Sequence, residues 1–271
     1  DILLTDIEAD LISLVFNPLK WFSSVGRTQR AIEYYNLKLF GGKTFKDLNK
    51  PGRPLVLINA TDLSNGVRFS FVQEYFDLIC SDIKDLPIAK AVAASSAVPI
   101  IFNPVVLQNY QPCENGVKQR LAGAQTFVKG NEELINALTG LREYTEIDYP
   151  YLHLVDGGIT DNLGLRAVYE AIELSGGPKS FLKKVNKQQT KHIVVISVDA
   201  STQTGSGINK SNKVPTALQN INAMTDIQLH RYNTATKALF EENLIKWSQQ
   251  LSSPRQQVNS HFISLSFDAI N

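Results

Sequence analysis

The sequence predicts an α/β fold, one domain over residues 1–271 with a central, mostly parallel sheet and helices on both faces. Three observations carry this expectation. Apolar runs of strand length alternate with stretches of helical period. Two of the runs, Pro54–Ala60 and His192–Asp199, are almost continuously apolar, as in strands covered on both faces. No internal repeat and no shift of composition divides the chain.

The elements follow in order. Leu4, Ile7, Leu11 and Leu14 recur at spacings of three and four and predict a helix closed by Asn17-Pro18. A second helix is expected over Thr28–Leu39, stopped by Gly41-Gly42. After the strand Pro54–Ala60, the turn residues Asp62–Gly66 lead to a half-exposed strand in which Val67, Phe69 and Phe71 alternate with Arg68 and Ser70. The alanine-rich stretch Leu86–Val98 predicts a buried helix ending before Pro99. Residues 109–131 mix Pro, Gly, Gln and Lys without a period and read as a mobile loop. A short strand, Leu152–Val155, runs into Asp156-Gly157-Gly158, and a helix is expected over Leu165–Leu174, stopped by Gly176-Gly177-Pro178. Beyond the strand His192–Asp199 lies a second polar loop at 200–215. A long helix carries Leu218, Ile221 and Met224, then Phe240, Leu244, Trp247 and Leu251 on one stripe. The strand Phe262–Phe267 comes last.

Composition narrows the function. Lys and Arg total 27 against 26 Asp and Glu, a net charge of +1 that argues against a general nucleic-acid binder. A hydrophobic share of 43% with balanced charge excludes an intrinsically disordered chain. No apolar run approaches the roughly 18 residues of a membrane-spanning helix. The start, Asp1-Ile2-Leu3-Leu4, lacks signal-peptide character and a Met, which leads us to expect a piece of a longer chain. The two cysteines, Cys80 and Cys113, form no CxxC pair, which excludes a cysteine-based zinc site. Two thiols and one bridge both remain open on this evidence, and with them the redox compartment.

Asp156-Gly157-Gly158 stands where an apolar strand ends and a helix begins. Ligands of parallel α/β sheets bind outside the carboxyl ends of strands, and the glycines allow close backbone approach. Asp156 is therefore a candidate general base or metal ligand, against the plainer reading of a turn or helix cap. Its surroundings, His153-Leu154-Val155-Asp156-Gly157-Gly158 followed by Asn162, resemble the aspartate block of patatin-like phospholipases. Gly164 stands where that family often has Pro, a departure that bears on helix initiation more than on chemistry. Ala93-Ala94-Ser95-Ser96-Ala97-Val98-Pro99 with Phe102 is similar to the family's Ala-Ser-Ser-Ala-x-Pro segment, and Asn59-Ala60-Thr61-Asp62 with Gly66 and Phe69 to its Asn-Ala-Thr-Asp turn.

The resemblance implies a three-layer αβα fold and a lipid acyl hydrolase. It cleaves fatty-acyl esters of phospholipids or related lipids with a Ser–Asp dyad, without metal or cofactor. It makes Asp156 the base, has Gly157, Gly158 and Asn162 shape its loop, and has Ser95, Ser96 and Pro99 line an apolar cavity beside it. The family's Gly-x-Ser-x-Gly and glycine-rich oxyanion loop occur nowhere in the 271 residues. The expected place for both is upstream, with the N-terminal strands, so this chain alone is expected to be inactive. The resemblance also tilts Cys80 and Cys113 toward a bridge in an exported, envelope or membrane-associated protein. The competing reading is a non-catalytic lipid-binding or protein-interaction domain that kept the fold.

Other candidates are weaker. Ser95 and Ser96 lack a glycine elbow and are not expected to be nucleophiles. His153, His192, His230 and His261 have no triad or metal spacing and read as sheet or helix residues. Lys179, Lys183, Lys184, Lys187 and Lys191 could contact anionic lipid headgroups, although a solvated helix end explains them as well. Asp199 has no GxGxxG before it, so a dinucleotide site is not supported.

Overall fold

The computed structural model describes residue 13 and residues 26–50, 52–99, 101–114, 116–201, 208–210, 212–254 and 256–266. The helix expected over Leu4–Leu14 lies, apart from Ser13, outside the described residues, as does Phe267. The chain divides into two compact units, residues 1–160 and residues 161–271.

The first unit begins with α1 (Arg27–Tyr35), which passes into a π-helical turn, Asn36–Phe40, and stops at left-handed Gly41, as expected. After the short α2 (Phe45–Leu48) come β1 (Asn59–Asp62), β2 (Arg68–Ser70), α3 (Gln73–Leu78), α4 (Ile88–Ser95) and β3 (Val105–Gln108). Next are α5 (Val117–Ala124), α6 (Glu132–Glu143) and β4 (Tyr151–Asp156). The strands form one sheet in the order β2-β1-β4-β3. Ala60, Ala89 and Ala94, among the most deeply buried residues, keep β1 and α4 close, and Ala31 and Tyr35 of α1 pack on Ala89 and Ala93. Phe69 anchors the other side of the core, meeting Phe71 and Tyr75 edge-on at 5.5 Å between ring centres.

Several expectations are corrected here. All three pairings of this sheet are antiparallel, so the mostly parallel central sheet is not what the described residues form. Alternation of strand and helix does not fix strand direction, and the Asp62–Val67 turn reverses the chain within a hairpin. The buried strand expected from Pro54 starts only at Asn59, and Leu55 is 65% exposed. The cause lies in its neighbours: β4 turns away after pairing Asp156 with Ala60, and β2 leaves after the Phe71 N–H reaches the Ile58 carbonyl. Strand β2 is buried throughout rather than half-exposed. Arg68 is accommodated by the Tyr75 ring, 5.6 Å from its guanidinium, and by the Ser70 hydroxyl. The loop expected at 109–131 contains α5.

The second unit holds α8 (Leu165–Leu174), α9 (Pro178–Lys184), β5 (His192–Asp199), α10 (Ala217–Leu251) and β6 (Asn259–Ser266), while the four-residue α7 (Gly158–Asp161) runs across the division. Helix α8 and strand β5 have the bounds the sequence predicts. Strands β5 and β6 pair in parallel, His192 opposite Asn259 through Asp199 opposite Ser266. Because β6 is its one neighbour among the described residues, β5 lies at a sheet edge there rather than at a sheet centre. Nor is it buried on both faces: Ser197 and Asp199 point inward, whereas Val194, Ile196 and Val198 are 55%, 61% and 59% exposed. In α10 the stripe Phe240, Leu244 and Trp247 is buried as expected, with Trp247 stacked on Tyr169 of α8 and donating to Glu173 at 2.7 Å. The earlier stripe differs, since Ile221 and Met224 are exposed.

Candidate active site

Strand β4 delivers Asp156 to the edge of the first unit's core, where the end of α4 and strand β1 hold its backbone. The Asp156 N–H donates to the Ala97 carbonyl at 3.0 Å, and the Gly157 N–H donates to the Ser95 carbonyl at 3.1 Å. These carbonyls lie at and just past the end of α4, where helical partners run out. From the other side, Ala60 of β1 stands opposite Asp156. Gly157 then passes so close to β1 that a Cβ there would lie 2.3 Å from the Asn59 carbonyl oxygen. Only glycine fits, which gives the first glycine of Asp-Gly-Gly a steric cause.

The side chain closes the turn. Asp156 Oδ1 accepts the Gly158 N–H at 2.7 Å. Oδ2 has no hydrogen bond among the described residues. Burial raises the Asp156 pKa, opposed only by the Gly158 N–H, so the carboxylate is a stronger base than an ordinary aspartate. Thr61 of β1 completes the geometry. Its hydroxyl donates to the Asp156 main-chain carbonyl at 2.9 Å and meets the Thr160 hydroxyl at 2.9 Å.

The sequence model of the patatin-like phospholipase family matches residues 8–169. The chain belongs to that family. No curated protein and no solved structure matches it. The match includes the three motif blocks, and the structure brings two of them to Asp156 of the third through backbone bonds from Ser95, Ala97 and β1.

The other residues of the patatin reading are placed as follows. Ser95 contributes its carbonyl. The Ser96 hydroxyl is turned back on its own helix, donating to the Val92 carbonyl at 3.0 Å with the Tyr35 hydroxyl 3.5 Å away, and makes no bond to Asp156. Pro99 is exposed. Asn162 belongs to the second unit, where its amide donates to Asn233 Oδ1 at 3.4 Å. Its neighbour Asp161 caps α8, accepting from Arg166 N at 3.1 Å and Ala167 N at 2.8 Å.

Two contributions were missed or left open by the sequence. Thr61 lies inside a quoted motif, but its reach to a residue 95 positions away depends on strand pairing that no local pattern encodes. Cys80 and Cys113 form a disulfide with Cα atoms 6.0 Å apart, within the usual range. It ties the segment after α3 to the segment before α5.

Proposed function

We propose that this chain is part of a lipid acyl hydrolase in which Asp156 is the general base of a Ser–Asp dyad. The serine would come from a Gly-x-Ser-x-Gly segment upstream of these residues in the intact protein. Asp156 Oδ2 takes the serine proton as Oγ attacks the acyl carbonyl, then returns it to the departing alcohol oxygen. A water deprotonated by the same carboxylate then releases the fatty acid from the acyl-enzyme. Even a raised carboxyl pKa leaves Asp a weak base for a hydroxyl, so backbone N–H groups must stabilise the oxyanion. The observation that carries this reading is the asymmetry of the carboxylate, with Oδ1 fixed by Gly158 and Oδ2 left without a hydrogen bond among the described residues.

The test uses the full coding sequence, assayed on a p-nitrophenyl acyl ester. Asp156→Asn should lose turnover by about 10²–10⁴-fold while remaining folded, because the amide cannot accept the proton. Wild-type turnover in that variant would make the aspartate structural. The 271 residues alone are expected to show no esterase activity.

The absence of Gly-x-Ser-x-Gly from these residues supports a second reading, a lipid-binding module without chemistry. An upstream coding sequence lacking that motif would favour it. Three further features belong to the proposal. The exposed apolar face of the parallel β5–β6 pair supports a larger, mostly parallel sheet in the intact protein. The disulfide supports an oxidising compartment. The exposed lysines between 179 and 191 support peripheral contact with anionic lipid.

A further inference from the structure

We propose that Thr61 is a positioning residue for Asp156, acting through a directed chain of two hydroxyls that pins the Asp156–Thr160 turn to strand β1. The inference rests on the reading of Asp156 as the base. Thr61 is buried, and its Oγ1 donates to the Asp156 carbonyl at 2.9 Å. A hydroxyl has one proton, so the proton Thr61 gives to that carbonyl is not available to Thr160. The 2.9 Å contact between the two hydroxyls therefore runs in one direction, with Thr160 O–H donating to Thr61 and Thr61 O–H donating to Asp156.

The chain grips both ends of the turn, the carbonyl of the base at its start and Thr160 at its end. Between them the Thr160 N–H closes on the Gly157 carbonyl at 3.2 Å. The Asp156 and Gly157 amides are already committed to α4, so each face of the turn has its own anchor: amides to the helix, carbonyl to the strand. Rotation of the Asp156 peptide, which would swing the carboxylate, breaks both anchors at once. Position 61 thus needs a hydroxyl on a strand residue, and a β-branched one suits the pleated backbone.

The experiment compares Thr61→Val, which keeps shape and loses the hydroxyl, with Thr61→Ser, which keeps the hydroxyl. Both are made in the full-length protein and assayed on the p-nitrophenyl acyl ester, with thermal unfolding recorded alongside. Misplaced catalytic groups cost up to about 10²-fold, so Thr61→Val should lower kcat about 10- to 100-fold with KM little changed, and Thr61→Ser should restore most of kcat. A purely structural role would instead lower stability without a specific fall in kcat. Wild-type kcat in Thr61→Val, or equal losses in the Val and Ser variants, overturns the inference. If Thr61→Val does not fold, Thr160→Val decides: a fall in kcat at constant KM supports the chain, and unchanged kcat overturns it. Asp156→Asn is the control that separates the two levels. An inactive Asp156→Asn beside a fully active Thr61→Val removes only the role of Thr61, whereas an active Asp156→Asn removes the base and the positioning role together.

Discussion

Asp156 and Asp199 each end a strand, each is withdrawn from water, and each is followed by a turn, yet the two carboxylates are held in opposite ways. Asp199, in the second unit, accepts from Lys237 Nζ at 2.8 Å through one oxygen and from Ser201 through the other. Burial opposes its charge, but Lys237 and Ser201 outweigh burial and hold its pKa below the ordinary carboxylate value. Asp156, in the first unit, has one backbone N–H and, among the described residues, no cation, and burial raises its pKa. A strand-end aspartate is thus not informative by itself. Among the described residues, the absence of a counter-ion within hydrogen-bonding reach is what distinguishes the proposed base from a carboxylate held by an ion pair.

The largest expected effect breaks or confirms that distinction directly. Asp156→Asn should cost about 10²–10⁴-fold in kcat of the full-length enzyme, whereas Asp199→Asn should leave kcat per folded molecule unchanged. Steady-state kinetics on both variants, corrected for the folded fraction, checks this, and a comparable kcat loss at Asp199 would erase the contrast.

A second effect asks what stabilises a unit that tolerates an uncompensated carboxylate. The Cys80–Cys113 bridge spans 33 positions and lies in the same unit as Asp156. In the chain-entropy model such a loop contributes about 3–4 kcal/mol, so Cys80→Ser/Cys113→Ser should lose about that much in urea unfolding. Unchanged stability would mean that the bridge contributes nothing to offset the buried charge.

The sequence revealed features with a local cause. Helix α8 was legible because an amphipathic run ends at Gly176-Gly177, and β5 because a nearly continuous apolar run of strand length is rich in β-branched residues. Asp-Gly-Gly was legible as a motif, although the reason for Gly157, the Asn59 carbonyl, became visible only in the structure. Strand direction, the early end of β1 pairing, the bare face of β5 and the reach of Thr61 depend on partners distant in sequence. Leu55 and Val56 show the limit well: their apolarity reads as burial, but whether they are buried depends on where β2 and β4 stop.

A third, smaller effect sharpens the Asp199 side of the comparison. Asp199→Asn leaves Lys237 partly buried without its partner. Removing one member of a fully buried pair costs about 3–5 kcal/mol, and because Lys237 keeps 25% of its side chain exposed, about 1–2 kcal/mol is expected here. Urea unfolding at neutral pH checks the figure, and no loss at all would show that the ion pair is not what holds the strand end.

The smallest effect is a difference in sign. At Asp156 the folded-state pKa is raised, so between the unfolded value near 4 and the higher folded value the native state binds more protons than the unfolded chain. Its contribution to stability therefore falls as pH rises through that window, and the penalty is complete once the pH exceeds the folded value. At Asp199 the folded pKa is lowered, so its contribution is present above the unfolded value and is lost as pH falls through the folded one. Asn at position 156 can still accept the Gly158 N–H while carrying no charge. Asp156→Asn should accordingly be more stable than the parent at pH 7, and the advantage should vanish toward about pH 3, where the parent carboxyl is protonated in both states. Asp199→Asn should behave in the reverse sense, with its deficit at pH 7 shrinking as the pH falls. Taking each variant against the parent at every pH cancels the titration of the other carboxylates. Parallel pH dependences for the two variants would show that the two strand ends are electrostatically alike, and a raised pKa would then no longer mark Asp156 as the base.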